Sequence, residues 1–242
     1  GKLVPQDLDD EPAEEWLQTI EEPTSNKNTG NEIGIPTYSL PDQWIWLTMS
    51  AVFEVAGGIQ KTPHRTPRNN AHPYLGVGNV YRGRLDLRNI KEFELEPGEL
   101  ERRRLIPGDL LIIEGNGSFN EIGRCAKWSG EIENCVHQNH VIRCRPFDSR
   151  ISDFVLLFLN SPNGVEIMQR LAITSSGLYS LSVGKIRQIE VPLPPLAEQS
   201  RIVAKVDQLM ALVDELETQL AASRATAAKL LDALVAELTS SH

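Results

Sequence analysis

Three polar loops carry the residue types that read and grip a nucleic acid. Lys61, Arg65 and Arg68 lie in the basic stretch 59–68, Asn116, Ser118, Asn120 and Arg124 surround a glycine-permitted bend, and Ser176, Tyr179 and Lys185 belong to a serine-rich stretch and the turn that follows it. In the major groove a base is identified by bidentate side chains, Arg or Lys on guanine and Asn or Gln on adenine, while phosphates are held by cations, hydroxyls and backbone amides. Each cluster taken alone also reads as an ordinary solvated loop. The chemistry they offer together is non-covalent recognition.

Signatures of catalysis are missing. There is no G-x-G-x-x-G, and Gly184-Lys185 is followed by Ile186 where a phosphate loop needs a hydroxyl. The Asn/Asp-Pro-Pro-aromatic tetrapeptide with which amino-methyltransferases grip a flipped base is also absent. Cys135-x-His137-x2-His140-x3-Cys144 contains metal-ligand types but lacks the paired C-x2-C turns that close a structural zinc site, and two neighbouring strands give such a pattern by chance. Asp109 with Glu114-Gly115-Asn116 has the outline of a metal-dependent nuclease strand, yet Asn116 stands where such strands carry a basic residue. The expectation is a chain with no catalytic residue, no metal and no cofactor of its own.

The elements that must position these loops follow from patterning. Glu11 to Ile20 reads as a short amphipathic helix with proline in its first turn, and 21–38 has the composition of a linker. From Leu40 to Val191 short apolar runs alternate with turns: strands start at His72, Leu110 and Gln138, and helices cover Ser152 to Leu159 and Gly164 to Ala172. Arg102-Arg103-Arg104 reads as a strand edge kept soluble by charge. Beyond Pro192-Leu193-Pro194-Pro195 the chain has neither glycine nor proline up to Thr239. It keeps a 3.5-residue seam of Ile202, Val206, Leu209, Val213, Leu216, Leu220, Ser223, Ala227, Leu230, Leu234 and Glu237. Such a helix would be about 65 Å long, too long to bury its stripe on a compact domain, so it calls for a second long helix. The division expected is an acidic N-terminal segment and linker over 1–39, an α+β head over 40–191 and a coiled-coil spacer over 192–242.

Composition narrows the setting. A net charge of −9 argues against a protein that coats nucleic acid non-specifically, although Lys61, Arg65, Arg68, Arg82, Arg84, Arg88, Lys91 and Arg102 to Arg104 leave room for a local basic face. Three cysteines, no charged-then-apolar leader and no apolar run of membrane-spanning length point to a reducing cytoplasm without a membrane role. Opening at Gly1 without an initiator methionine, the chain reads as a processed or excised part of something longer.

The order of motifs carries a resemblance. Leu40-Pro-x-x-Trp44-x-Trp46, Pro73-Tyr74-Leu75-x3-Asn79-Val80-x2-Gly83-x-Leu85, Pro107-Gly108-Asp109 and Gly115-Asn116-Gly117-Ser118 come first. Gln138-Asn139-His140-Val141-Ile142-Arg143-x-Arg145-Pro146 and Val191-Pro192-Leu193-Pro194-Pro195-Leu196-Ala197-Glu198-Gln199-x-Arg201-Ile202-Val203 follow. This succession resembles the target recognition domain of type I restriction-modification specificity subunits and its exit into the spacer helix. The first residues, Gly1 to Asp7 and the acidic ones after them, are similar to the segment that follows the family's first such helix.

What the resemblance implies is a C-terminal half, cut or encoded separately, since such subunits usually carry two recognition domains and two antiparallel helices. Each domain reads one part of a split target in double-stranded DNA, and the helix pair sets the spacing. Methyltransferase subunits that bring S-adenosylmethionine and act on adenine dock on the assembly, and motor and nuclease subunits join for cleavage. The missing second helix is either another copy of this chain or a different half. A reading from another class, a coiled-coil scaffold whose head binds protein, would show no sequence-selective duplex binding.

Overall fold

A computed structural model describes residues 2–20, 39–115, 119–172 and 179–240, with side chains of the last span to 236. The expectations that fall on Asn116, Ser118, Ser176 and Glu237 lie outside the described side chains.

The chain begins with helix α1 (Ala13–Thr19), then strand β1 (Ile45–Thr48), one helical turn α2 (Met49–Val52) and β2 (Phe53–Ala56). After a basic loop come β3 (Ala71–Leu75), the small hairpin β4 (Val80–Tyr81) and β5 (Arg84–Leu85), β6 (Lys91–Glu94) and the short helix α3 (Glu99–Arg103). The second half runs through β7 (Leu110–Ile113), β8 (Cys125–Lys127), β9 (Val136–His137) and β10 (Val141–Pro146). Helices α4 (Ser152–Asn160), α5 (Pro162–Ala172) and α6 (Val183–Arg187), strand β11 (Glu190–Leu193) and helix α7 (Leu196–Ser240) complete it. The mixed α+β class expected of the head and the long terminal helix are both present.

The organising sheet has the order β2-β10-β7-β8, antiparallel throughout. β7 reads Leu-Leu-Ile-Ile with no polar alternation because both of its faces are covered. Leu110 and Ile112 join the main core with α4, α5 and α1, whereas Leu111 and Ile113 face a second core with Leu75, Trp128 and Val141. The sheet β6-β3-β9 supplies a third, smaller core in which the Tyr74 and Phe93 rings stack with centroids 3.7 Å apart.

Two sequence motifs prove to be joints. Arg145 donates from Nε and Nη2 to the two oxygens of buried Asp109, at 2.9 and 2.8 Å, and Ile106 N also donates to Asp109 Oδ2. The carboxylate of the nuclease-like outline is thus a buried brace between β7 and β10. Trp44 Nε1 donates to Glu198 Oε2 at 2.9 Å, so the Trp-x-Trp motif and the start of α7 meet across the fold. Glu198, placed by its sequence position to meet the helix dipole, also serves as a buried acceptor.

The structure departs from the sequence reading in three places. Arg102 and Arg103 end helix α3 instead of edging a strand, and Arg103 Nη1 donates to Gly57 O at 2.7 Å. Residues 2–20 are not a free acidic segment. Trp16 enters the main core and donates to Asp148, Gln43 holds Leu8 and Asp10 carbonyls, and Asp10 pairs with Arg201 of α7. Ile202, expected on the helix seam, packs with Leu196 and Val203 against that core, because the first turns of α7 lie on α4. The exposed stripe begins at Leu209 and runs through Val213, Leu216, Leu220, Leu230 and Leu234, with Val206 half-buried before it.

Candidate nucleic-acid interface

Antiparallel pairing brings the C-terminal ends of β2 and β7 and the N-terminal end of β10 to one edge of the main sheet. The loops that leave this edge are the ones whose residues suit recognition. At its centre is the turn Gln138-Asn139-His140, between β9 and β10, where the sequence suggested the start of a strand. On one side Ile59 N donates to His137 O at 2.8 Å and Asn139 N to Ile59 O at 2.9 Å, stitching the basic loop to the turn. Gly58 permits this approach: a Cβ there would stand 2.3 Å from the His137 carbonyl oxygen. On the other side Glu114 N donates to His140 O at 3.0 Å, and the Glu114 carboxylate lies 2.8 Å from His140 Nδ1. Leu181 N donates to Glu114 O, so the segment containing Tyr179 and Ser180 joins the same edge.

The expected contact residues divide by their surroundings. Lys61 and Asn120 are exposed on the loops of this edge, and Arg68 is exposed farther along the basic loop, where its N–H donates to Glu94 beside the start of β3. Tyr179 is half-buried, its ring 5.2 Å from that of Phe119, and Lys185 reaches back from α6 to donate to Ser180 O at 3.1 Å. Arg65 is held inside the head: its guanidinium grips Glu99 at 2.5 and 2.9 Å, and that pairing raises its pKa despite partial burial. Arg124 is also largely buried, donating to Val77 O at 3.1 Å and lying 5.2 Å over the Tyr81 ring. Both guanidiniums therefore shape loops: Arg65 is committed to Glu99, and Arg124, whose Nε has no partner among the described residues, is packed beneath the surface. Sequence reasoning overlooked Gln138, Asn139, His140 and the exposed ring of Phe119 as contact residues, and counted Lys91 only within a general basic stretch. An unbroken polar run before Val141 was the available signal, because a half-buried strand would have alternated.

Below the turn, His137 is fully buried and its Nδ1 donates to Val141 O at 2.6 Å, leaving Nε2 without a described partner. Burial pulls its pKa down to about 4. Below about pH 6.5 the unfolded chain protonates this imidazole while the folded chain does not, so stability is lost as pH falls toward about 4 and levels beneath it. The loss amounts to about 3 kcal/mol. His137→Asn keeps a donor for Val141 O and removes the titration. Urea midpoints measured between pH 7 and 4 should therefore be flatter for this variant than for the parent.

The other metal-ligand types do not converge. Cys135 and Cys144 belong to different cores, His140 stands at the rim, and among the described residues no three His, Cys, Asp or Glu side chains are grouped to hold a metal ion. Burial pushes the Cys125 and Cys135 thiols up to about 12 and Cys144 well above its ordinary value. All three are therefore inert apolar fillers at neutral pH. No helix among the described residues is long and apolar enough to cross a membrane.

Comparison with known proteins places this architecture. Residues 41–223 match the model of the type I restriction modification DNA specificity domain. The chain is 31% identical over 193 residues to the type I restriction enzyme EcoKI specificity subunit of Escherichia coli K12, covering 78% of this chain and 40% of that protein. It is 28% identical over its whole length to the EcoAI specificity subunit of Escherichia coli, covering 42% of that subunit. The chain thus spans about four-tenths of the length of these relatives. The fold is shared with the HsdS subunit from Thermoanaerobacter tengcongensis, at a TM-score of 0.53 and 23% identity over 76% of this chain and 41% of that one. It is also shared with a chain from a type I R-M system structure, at a TM-score of 0.60 and 21% identity over 81% of this chain and 45% of that chain. With the match to the domain model extending from the first head strand into the long helix, this chain belongs to the type I restriction-modification DNA specificity family.

Proposed function

We propose that this chain is a non-catalytic DNA specificity half-module: its head reads one part of a split duplex target and its helix sets the distance to a second reading head. The observation that carries the proposal is the gathering of the basic loop, the Gln138–His140 turn and the segments around Glu114 and Ser180 at one sheet edge. A surface built from several loops on a rigid sheet can follow a groove. Lys61, Arg68, Asn120, Tyr179 and Lys185, with Asn116, Ser118 and Ser176 beyond the described residues, supply its contacts, while Arg65 and Arg124 hold the loops in shape. Methyl transfer to adenine, with S-adenosylmethionine as donor, belongs to methyltransferase subunits docked on the assembly, and restriction subunits add cleavage. In that assembly partner chains supply much of the phosphate contact, which reconciles DNA binding with the acidic total charge. The second helix comes from another copy or a different half, and the complex works in the cytoplasm.

The test is an adenine-methylation map of cells that express the chain with its cognate methyltransferase subunit, compared with cells lacking the chain. A new split motif is expected, and a palindromic one identifies two identical copies. An unchanged map, with both proteins associated, rules out this reading of the chain on its own.

A further inference from the structure

Beside the turn lies a groove of about 420 Å³ whose residues no sequence motif groups together. One wall is the Gly76–Asn79 turn after β3, and Lys61, Tyr74, Asp86, Asn89, Lys91 and Gln138 line the rest. The Gln138 backbone is fully paired, its N–H donating to Leu75 O and its carbonyl accepting from Val141 N, both at 2.9 Å. Its half-buried side-chain amide has no hydrogen-bond partner among the described residues, and neither ammonium has an ion-pair partner there. Two of the nearby carboxylates are paired with cations within the fold, Asp86 with Arg88 through both oxygens and Glu99 with Arg65. Glu94 keeps its charge and turns it to the backbone N–H groups of Arg68, Asn69 and Asn70. Glu92 belongs to the opposite face of β6 from Lys91. Asn79, also in the lining, is occupied on both ends, accepting from Gly76 N and donating to Asp86 O.

We infer that this groove seats a backbone phosphate of duplex DNA, Lys61 and Lys91 providing charge and the Gln138 amide the directed donor. The inference rests on the DNA reading above and assigns the groove the task of fixing register, leaving base discrimination to the other loops. Two compact ammonium groups suit a phosphodiester, which needs charge from several directions. The glycine wall suits it too, since missing side chains let a phosphodiester come close. There is open space where a Cβ would stand at Gly78, and at Gly76 a Cβ would lie 3.1 Å from Gln138 Oε1.

The experiment uses the full chain assembled with its methyltransferase subunit, titrated with a duplex carrying its methylated motif and with an unrelated duplex over a potassium chloride series. A Lys61→Gln, Lys91→Gln double variant should weaken both duplexes alike, on the order of 10-fold at moderate salt. It should also lower the slope of log affinity against log salt by about one, with the methylation motif unchanged. Gly76→Ala, compatible with the φ of −105° there, should weaken both duplexes without altering the salt slope, because it crowds the seat and keeps the charges. An unchanged slope in the double variant overturns the inference, and so does a motif altered at one base. A parent complex that binds neither duplex removes the DNA reading itself and this inference with it.

Discussion

Trp16→Ala should destabilise the head by about 3–5 kcal/mol, the range for truncating a large aromatic side chain in a core. The indole is 2% exposed, packs in the main cluster and donates from Nε1 to Asp148 Oδ2 at 3.0 Å. Removing it leaves a cavity and takes a hydrogen bond from a carboxylate. Burial would raise the pKa of Asp148, but hydrogen bonds from Arg150 and Trp16 outweigh it and hold the group at about 2. Trp16→Phe should recover most of the packing and none of that hydrogen bond. Urea unfolding at pH 7 gives the comparison. A loss under about 1 kcal/mol for Trp16→Ala would mean that residues 2–20 do not stay docked in solution, since a buried tryptophan cannot be removed so cheaply.

The second large effect concerns α7. Leu216→Glu combined with Leu220→Glu should convert an associating chain into a monomer, with the dissociation constant rising by about 100-fold or more. In the single chain Leu216 is 63% exposed, Leu220 51%, Leu230 62% and Leu234 57%, and these residues continue the stripe that starts at Leu209. A 45-residue helix gains little from local hydrogen bonding alone, so its stability depends on burying that stripe against a second helix. Light scattering reads association and circular dichroism reads helix loss, while head unfolding should be unaffected because the substituted turns do not touch the head cores. A parent chain that remains monomeric at high concentration, without another half present, would overturn self-association through this stripe. An associated double variant would show that the stripe is not the contact.

The helix was the most legible element because its signal is local and repeated: a 3.5-residue period reports a stripe whatever lies elsewhere. The same period misassigned Ile202, because spacing does not tell which partner covers an apolar residue. Helices α4 and α5 and strand β7 were legible for related reasons, a run of one period or one polarity. The candidate interface was legible as three separate loops. That they share an edge follows from the antiparallel order β2-β10-β7, a long-range fact that composition does not encode.

Charge was the least legible property. Arg65, Arg68 and Lys61 look alike in sequence, yet Arg65 is bound to Glu99 from 34 positions away while Lys61 has no such partner among the described residues. Pairing depends on which carboxylate the fold brings within reach, and the Asp109–Arg145 and Glu198–Trp44 joints arise in the same way. By itself the sequence determined the α+β class, the long helix, the family and the loops rich in recognition chemistry, since each is written in local period, composition or motif order. Only the tertiary structure decided which cations remain available, that residues 2–20 belong to the head, and that a groove opens beside Gln138. Those depend on contacts between distant segments, where burial and pairing set what each side chain can do.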